Sequence, residues 1–192
     1  MYEILVLGAT FAAAGIARRY QEKCLVLERR AQAGYEFFCA EDDLQIYSCL
    51  KECCTVFCVE VVSVQKNEDG FLCVTHGVDG FRSYKAKRVV DTRCNAAMSR
   101  SKTFDLLIDE GNSRSVMQCP VSLACDFSKA RAIAKKVIEE LPEGKRLIVM
   151  ADEFNYCVKE GYPKTVDGIL YLPSKAYATP TLAFEAGQEV EK

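Results

Sequence analysis

One histidine, His76, is all that the 192 residues provide, so chemistry needing an imidazole base has a single candidate with no partner in view. Its place at a strand end beside a turn reads as an exposed turn residue. Long runs of one charge are also missing. The 25 basic residues are balanced by 27 acidic ones, which leaves no electrostatic footprint for nucleic acid or an anionic membrane surface. No apolar run approaches the roughly 20 residues that span a bilayer. The stretch TFAAAGIA (10–17) is preceded by a short apolar run and by Met1, Tyr2 and Glu3, with no basic segment. It therefore reads as helix and not as a signal peptide. Internal repeats and low-complexity linkers are absent too. What remains is an ordinary globular composition, 49% hydrophobic and 27% charged, in a chain long enough for one domain or one domain with a small subdomain.

Cysteine is the exception to this scarcity. Eleven cysteines, an odd number without a secretory signal, point to free thiols in a reducing cytoplasm, where cysteine packs as a small hydrophobe. Cys49, Cys53, Cys54 and Cys58 follow the spacing C-x3-CC-x3-C. That matches neither the C-x2-C pairs of zinc sites nor the ferredoxin run, so no metal is expected. Cys54 and Cys58 should share the core-facing side of one strand. A redox pair needs only two thiols close in space, and spacing does not say which two.

The stretch from Ile4 to Arg29 carries the strongest pattern. Ile4 to Leu7 form a buried strand that leads into Gly8. A helix follows from Thr10 or Phe11 to about Tyr20, with Ala13, Ala14 and Gly15 as a thin face for packing near the sheet. Cys24 to Leu27 form a second buried strand that ends at Glu28. This is the layout of a dinucleotide-binding βαβ unit, in which the helix N-terminus meets a pyrophosphate and the acid holds a ribose hydroxyl. The glycine fingerprint is altered: Gly8 is in place, Thr10 stands at the second glycine position and Ala13 at the third. Thr10 has two readings, a phosphate cradle with a hydroxyl or a plain helix N-cap. An acid at Glu28 disfavours NADP, whose 2′-phosphate it would repel.

Further along, 35–50 has no single pattern and allows a short helix or an irregular connection. VFCVEVVSVQ (56–65) alternates as one strand, and Asn67 to Gly70 mark a hairpin turn. FLCVTH (71–76) and FRSYKAKRVVDTR (81–93) continue a meander, with Arg88 to Thr92 returning as a buried strand. Strands are expected over 102–110, 113–120 and 146–151, and Asp126 caps a helix with apolar residues at helical spacing. Asp152 and Glu153 should follow the last of those strands. GILYLPS (168–174) reads as a buried strand, and Thr179 with Pro180 opens a final helix.

In this order the parts resemble the FAD-binding domain of FAD-dependent oxidoreductases. GATFA (8–12) resembles the family's GxSFAG-type variant, Val61 stands where the family's meander offers backbone to adenine, and VVDTR (89–93) resembles the strand end usually written ATG. The closing strand usually ends in Gly-Asp, whereas here it reads Pro173-Ser174. The resemblance implies an α/β fold, a three-layer FAD/NAD(P)-binding Rossmann-like domain with a β-meander (1–101 and 166–192) and a small α+β insert (102–165) where the family keeps a substrate or cap domain. It implies FAD as cofactor, held by Gly8, Thr10, Phe11, Ala12, Ala13, Glu28, Arg29, Val61, Thr92 and Ser174. No second glycine fingerprint marks a separate NAD(P)H domain. No catalytic side chain is named, because in flavoenzymes the cofactor carries the hard chemistry. The implied activity is oxidoreduction of a small-molecule substrate in the cytoplasm, by a chain that stands alone, self-associates or joins a partner subunit. Two alternatives stay open: a binding protein that keeps the fold without flavin, and an electron-transfer subunit.

Overall fold

The computed structural model describes residues 1–37 and 43–191, apart from the side chains of residues 43–45. The described chain divides into two compact units. The larger holds 1–35, 43–93 and 160–191, and the smaller holds 94–159 with Glu36 and Phe37, beside the 102–165 expected from sequence.

In the larger unit β1 (Tyr2–Leu7) and β2 (Cys24–Leu27) flank α1 (Phe11–Tyr20). The helix starts where Thr10 Oγ1 accepts the Ala13 N–H at 3.2 Å, with Thr10 in extended backbone. It stops at Gln21, which turns to φ 50°. The next elements are α2 (Asp43–Leu50), β3 (Cys54–Val56), β4 (Glu60–Asn67), β5 (Gly70–Gly77) and β6 (Gly80–Asp91). The unpatterned 35–50 stretch thus contains one short helix, and its residues 38–42 lie outside the described residues. VFCVEVVSVQ does not form one strand. It breaks after Val56, where Cys58 adopts φ 59°, so Cys54 and Cys58 share no strand face and are both exposed. The break redirects the chain from the sheet edge into the meander, with the Cys58 and Val59 amides bonding the carbonyls of Arg30 and Glu28.

The strand β6 serves twice. Its first half pairs antiparallel with β5, and its second half pairs parallel with β1, through Leu5 opposite Val89 and Val6 opposite Val90. In β1 and β2 alternate residues face opposite sides. Leu5, Leu7, Leu25 and Leu27 meet the meander side chains Phe71, Cys73 and Ala86. Each large apolar side chain so buried stabilises by about 1.5–3 kcal/mol. The other side of the sheet carries α1, against which α2 and α4 (Pro180–Gln188) pack, so the unit has three layers. The hairpin β10 (Lys164–Val166) and β11 (Ile169–Tyr171) adds the parallel neighbour of β6. Gly15 makes the thin face of α1, but toward α4 and not toward the sheet. A Cβ on Gly15 would stand 2.0 Å from the Phe184 carbonyl oxygen, and one on Gly187 2.0 Å from that of Ala12.

The smaller unit is an antiparallel sheet ordered β8 (Arg114–Val121), β7 (Ser99–Asp109), β9 (Arg146–Val158), with α3 (Phe127–Glu139) packed on it. The Asp126 carboxylate caps α3 by accepting the Lys129 N–H at 2.8 Å. Phe104, Leu106, Ile108, Ala130 and Ala134 form its core. The strand β9 outruns its sequence expectation, because it pairs with β7 along nearly all of that strand. Asp152 and Glu153 therefore lie inside β9 and not after it. Among the described residues no helix is long and apolar enough to cross a membrane.

Candidate functional site

The parallel strands of the larger unit end together, and their last residues are stitched by backbone hydrogen bonds. Gly8 N–H donates to the Leu27 carbonyl, Thr92 N–H to Leu7, Leu172 N–H to Asp91 and Ser174 N–H to Thr92, all at 2.8–3.0 Å. This carboxyl edge, where β1 separates β2 from β6, is the place where open α/β sheets hold ligands. Gly8, Glu28, Thr92 and Ser174 therefore lie along one edge.

Gly8 makes the turn into α1 at φ 95°, a conformation that side chains resist. Thr10, Phe11, Ala12 and Ala13 follow, all buried. The Thr10 hydroxyl caps the helix and its carbonyl accepts the Ala14 N–H at 2.9 Å, so the N-cap reading describes it. Glu28 is 2% exposed. Its Oε2 accepts the Ala9 N–H at 2.7 Å and its Oε1 accepts the Arg30 N–H at 2.9 Å. The acid thus ties the end of β2 to the turn after β1, and each oxygen keeps a second acceptor position. The loop beyond β2 returns to the same turn, where Gly34 N–H donates to the Ala9 carbonyl at 2.9 Å.

Thr92 is fully buried, and its hydroxyl donates to the Leu7 carbonyl at 3.0 Å with the Gly8 carbonyl sharing at 3.2 Å. Ser174 is fully buried where the chain leaves β11 and enters a 3-10 turn. Arg29 is exposed. Val61 lies in β4 opposite Thr75, beside a β-bulge. His76 is exposed in β5 and meets Phe81 in a tilted contact with ring centroids 4.8 Å apart.

Sequence reasoning missed Asp91 and Arg93. The Asp91 side chain is 9% exposed, and its two oxygens accept Nε and Nη2 of Arg93 at 2.9 and 2.8 Å, a bidentate fork. Burial opposes the guanidinium charge, yet the hydrogen bonds and charge of Asp91 hold the Arg93 pKa above its ordinary value, with Tyr35 and Glu28 adding to the effect. The stem of Arg93 lies against the turn: a Cβ on Gly8 would be 2.6 Å from Arg93 Cγ. The signal was in VVDTR, where arginine follows the threonine at the position of the glycine in the ATG strand end that the stretch resembles.

This donor set fits the ribose and diphosphate of a dinucleotide. A buried carboxylate with free acceptor positions suits hydroxyl groups, and a helix N-terminus with a fixed cation beside it suits phosphate. Among the described residues no group of three or more His, Cys, Asp or Glu is placed to hold a metal ion.

No family model matches the chain, and no curated protein matches it in sequence. Solved structures do match. A geranylgeranyl bacteriochlorophyll reductase-like protein from Thermoplasma acidophilum has a TM-score of 0.65 and 10% identity over 97% of this chain and 76% of that one. A flavoprotein/dehydrogenase from Cytophaga hutchinsonii has a TM-score of 0.63 and 9% identity, again over 97% and 76%. Aklavinone-11 hydroxylase, solved with FAD and aklavinone, has a TM-score of 0.58 and 11% identity over 97% of this chain, which spans 60% of that one. At such identities the likeness establishes the fold: mixed α/β with a parallel sheet, the FAD-binding Rossmann-like architecture of flavoproteins.

Proposed function

We propose that the carboxyl edge of the larger unit binds the ADP half of FAD, and that the chain is an FAD-dependent oxidoreductase acting on a small molecule. The observation that carries this reading is Glu28, a buried carboxylate at the end of β2 fixed against the turn after β1 by the Ala9 N–H at 2.7 Å. Bound flavin would supply hydride or electron transfer. The chain's own residues bind and orient. Glu28 accepts from the ribose hydroxyls through its remaining lone pairs. The N-terminus of α1, from Phe11 on, presents the positive end of a helix to the diphosphate. Arg93, held by Asp91 in a bidentate ion pair, brings guanidinium N–H groups beside it. Thr10 and Thr92 hold this turn in shape.

A second reading is favoured by the same arginine. Its stem lies against the turn at Gly8, close to where a diphosphate would sit, as a binding or partner protein that keeps the fold without flavin would allow. An absorption spectrum separates the two readings. Purified protein, washed after incubation with excess FAD, should retain the visible bands of oxidised flavin. A protein that stays colourless sinks the oxidoreductase reading and leaves the second.

A further inference from the structure

Among the described residues, Cys24 and Cys53 are a thiol pair that the pairing of two parallel strands sets side by side. Cys24 opens β2, and Cys53 immediately precedes β3. The two strands pair in parallel, with Leu25 opposite Cys54, Val26 opposite Thr55 and Leu27 opposite Val56. That register brings the preceding residues, Cys24 and Cys53, side by side. Neighbouring strands lie about 4.8 Å apart, inside the roughly 4.4–6.8 Å between Cα atoms that a disulfide spans. Side chains in register on paired parallel strands project to the same face of the sheet.

We infer that Cys24 and Cys53 are a redox-modification site, a dithiol that low-molecular-weight disulfides such as oxidised glutathione convert to a protein disulfide joining β2 to β3. The two cysteines have different tasks because their surroundings differ. Cys53 is partly exposed and Cys24 is fully buried, so an incoming disulfide reaches Cys53 first. Hydrogen bonding with Cys24 holds the Cys53 thiol below its ordinary pKa against the opposing effect of burial, and the Thr55 hydroxyl at 3.4 Å assists. The Cys24 thiol is pushed well up, by the same hydrogen bonding and by burial. Cys53 is therefore the attacking thiolate and Cys24 the resolving thiol.

The exchange balances. The Cys53 thiolate attacks one sulfur of oxidised glutathione, a protein–glutathione S–S bond forms, the glutathione S–S bond breaks and the first glutathione leaves as thiolate. Cys24 then gives up its proton and attacks the Cys53 sulfur, forming the Cys24–Cys53 bond and releasing the second glutathione. Two protein thiols are oxidised, one glutathione disulfide is reduced to two thiols, and the two protein protons end on them. Cys54 follows in sequence but is exposed and hydrogen-bonded to Tyr2, whose hydroxyl is raised to about 12 first by that bond. It is not needed for the bridge.

The test uses the full chain in native buffer with oxidised and reduced glutathione, followed by blocking of free thiols and peptide mass mapping. A Cys24–Cys53 cross-linked peptide and the loss of two thiols per chain are expected, reversed by a dithiol reductant. Cys53→Ser should abolish the cross-link, Cys24→Ala should trap one glutathione on Cys53, and Cys54→Ser should leave the bridge intact. If Cys24→Ala fails to fold, the mapping of the unaltered chain and of Cys53→Ser still decides. Glutathione found only on exposed cysteines, or a cross-link that needs denaturant, overturns the proposal. None of these readouts involves flavin, so they stand whether or not FAD binds.

Discussion

At the scale of single residues, Glu28 and Arg93 do two things each, and substitutions separate them. Glu28→Ala removes the acceptor for the Ala9 and Arg30 N–H groups. Stability should fall by about 1–3 kcal/mol for the buried donor left unpaired, read from a urea midpoint, and flavin retention should fall with it. Retention unchanged at full occupancy would remove the ribose assignment. Arg93→Ala distinguishes a charge from an obstruction. If the guanidinium neutralises phosphate, FAD affinity drops. If the stem against Gly8 blocks approach, affinity rises. Sequence revealed Glu28 because an acid after an apolar strand, twenty residues past Gly8, has a fixed place in the βαβ pattern. It hid Arg93 because nothing in the order VVDTR says that the side chain folds back over another strand's turn. Thr10 was legible only as a pair of readings, since cap and cradle use the same hydroxyl; the 3.2 Å bond to the Ala13 N–H fills the cap role.

At the scale of elements, α1 and α4 approach each other closely at Gly15 and Gly187. Ala in place of Gly15 or Gly187 gains about 1 kcal/mol in helix propensity, but its methyl would overlap a backbone carbonyl at 2.0 Å. A net loss of about 1–3 kcal/mol is expected, and a Tm equal to or above that of the unaltered chain would show that the helices can part freely. In the smaller unit the Asp126 cap predicts a pH dependence. The Lys129 backbone N–H and then its side chain hold the Asp126 carboxylate below its ordinary range. Hydrogen bonding by the Gly111 N–H and then Arg146 does the same for Asp109. A carboxylate lowered on folding stabilises fully above its unfolded pKa, near 3.8 for Asp, and the contribution disappears as pH falls through the lower folded value. Tm should therefore hold from neutral pH to about 5 and decline below about 4, and Asp126→Asn should flatten the decline; an equal slope in the variant would contradict the cap. Periodicity revealed α1, α3 and the hairpins. It could not reveal the break at Cys58, where VFCVEVVSVQ keeps alternating while the backbone turns to φ 59°, nor the full reach of β9, which passes residues 152 and 153 at a register shift and pairs with β7 again from Phe154 on.

At the scale of the whole molecule, the order of parts was enough to expect a flavoprotein-like α/β architecture, because each of βαβ unit, meander, returning strand and closing strand–helix leaves a local mark. The cofactor is a different matter, since Thr10, Ala13, Arg93 and Ser174 each depart from the pattern that the sequence resembles while the edge they line is held by backbone hydrogen bonds. The direct measurement is an equilibrium titration of free FAD fluorescence with the full chain, read beside the same titration with Glu28→Ala. Saturable binding at one FAD per chain is expected, weakened at least tenfold in the variant, which corresponds to about 1.4 kcal/mol. No saturable change in fluorescence with the unaltered, folded chain would contradict it.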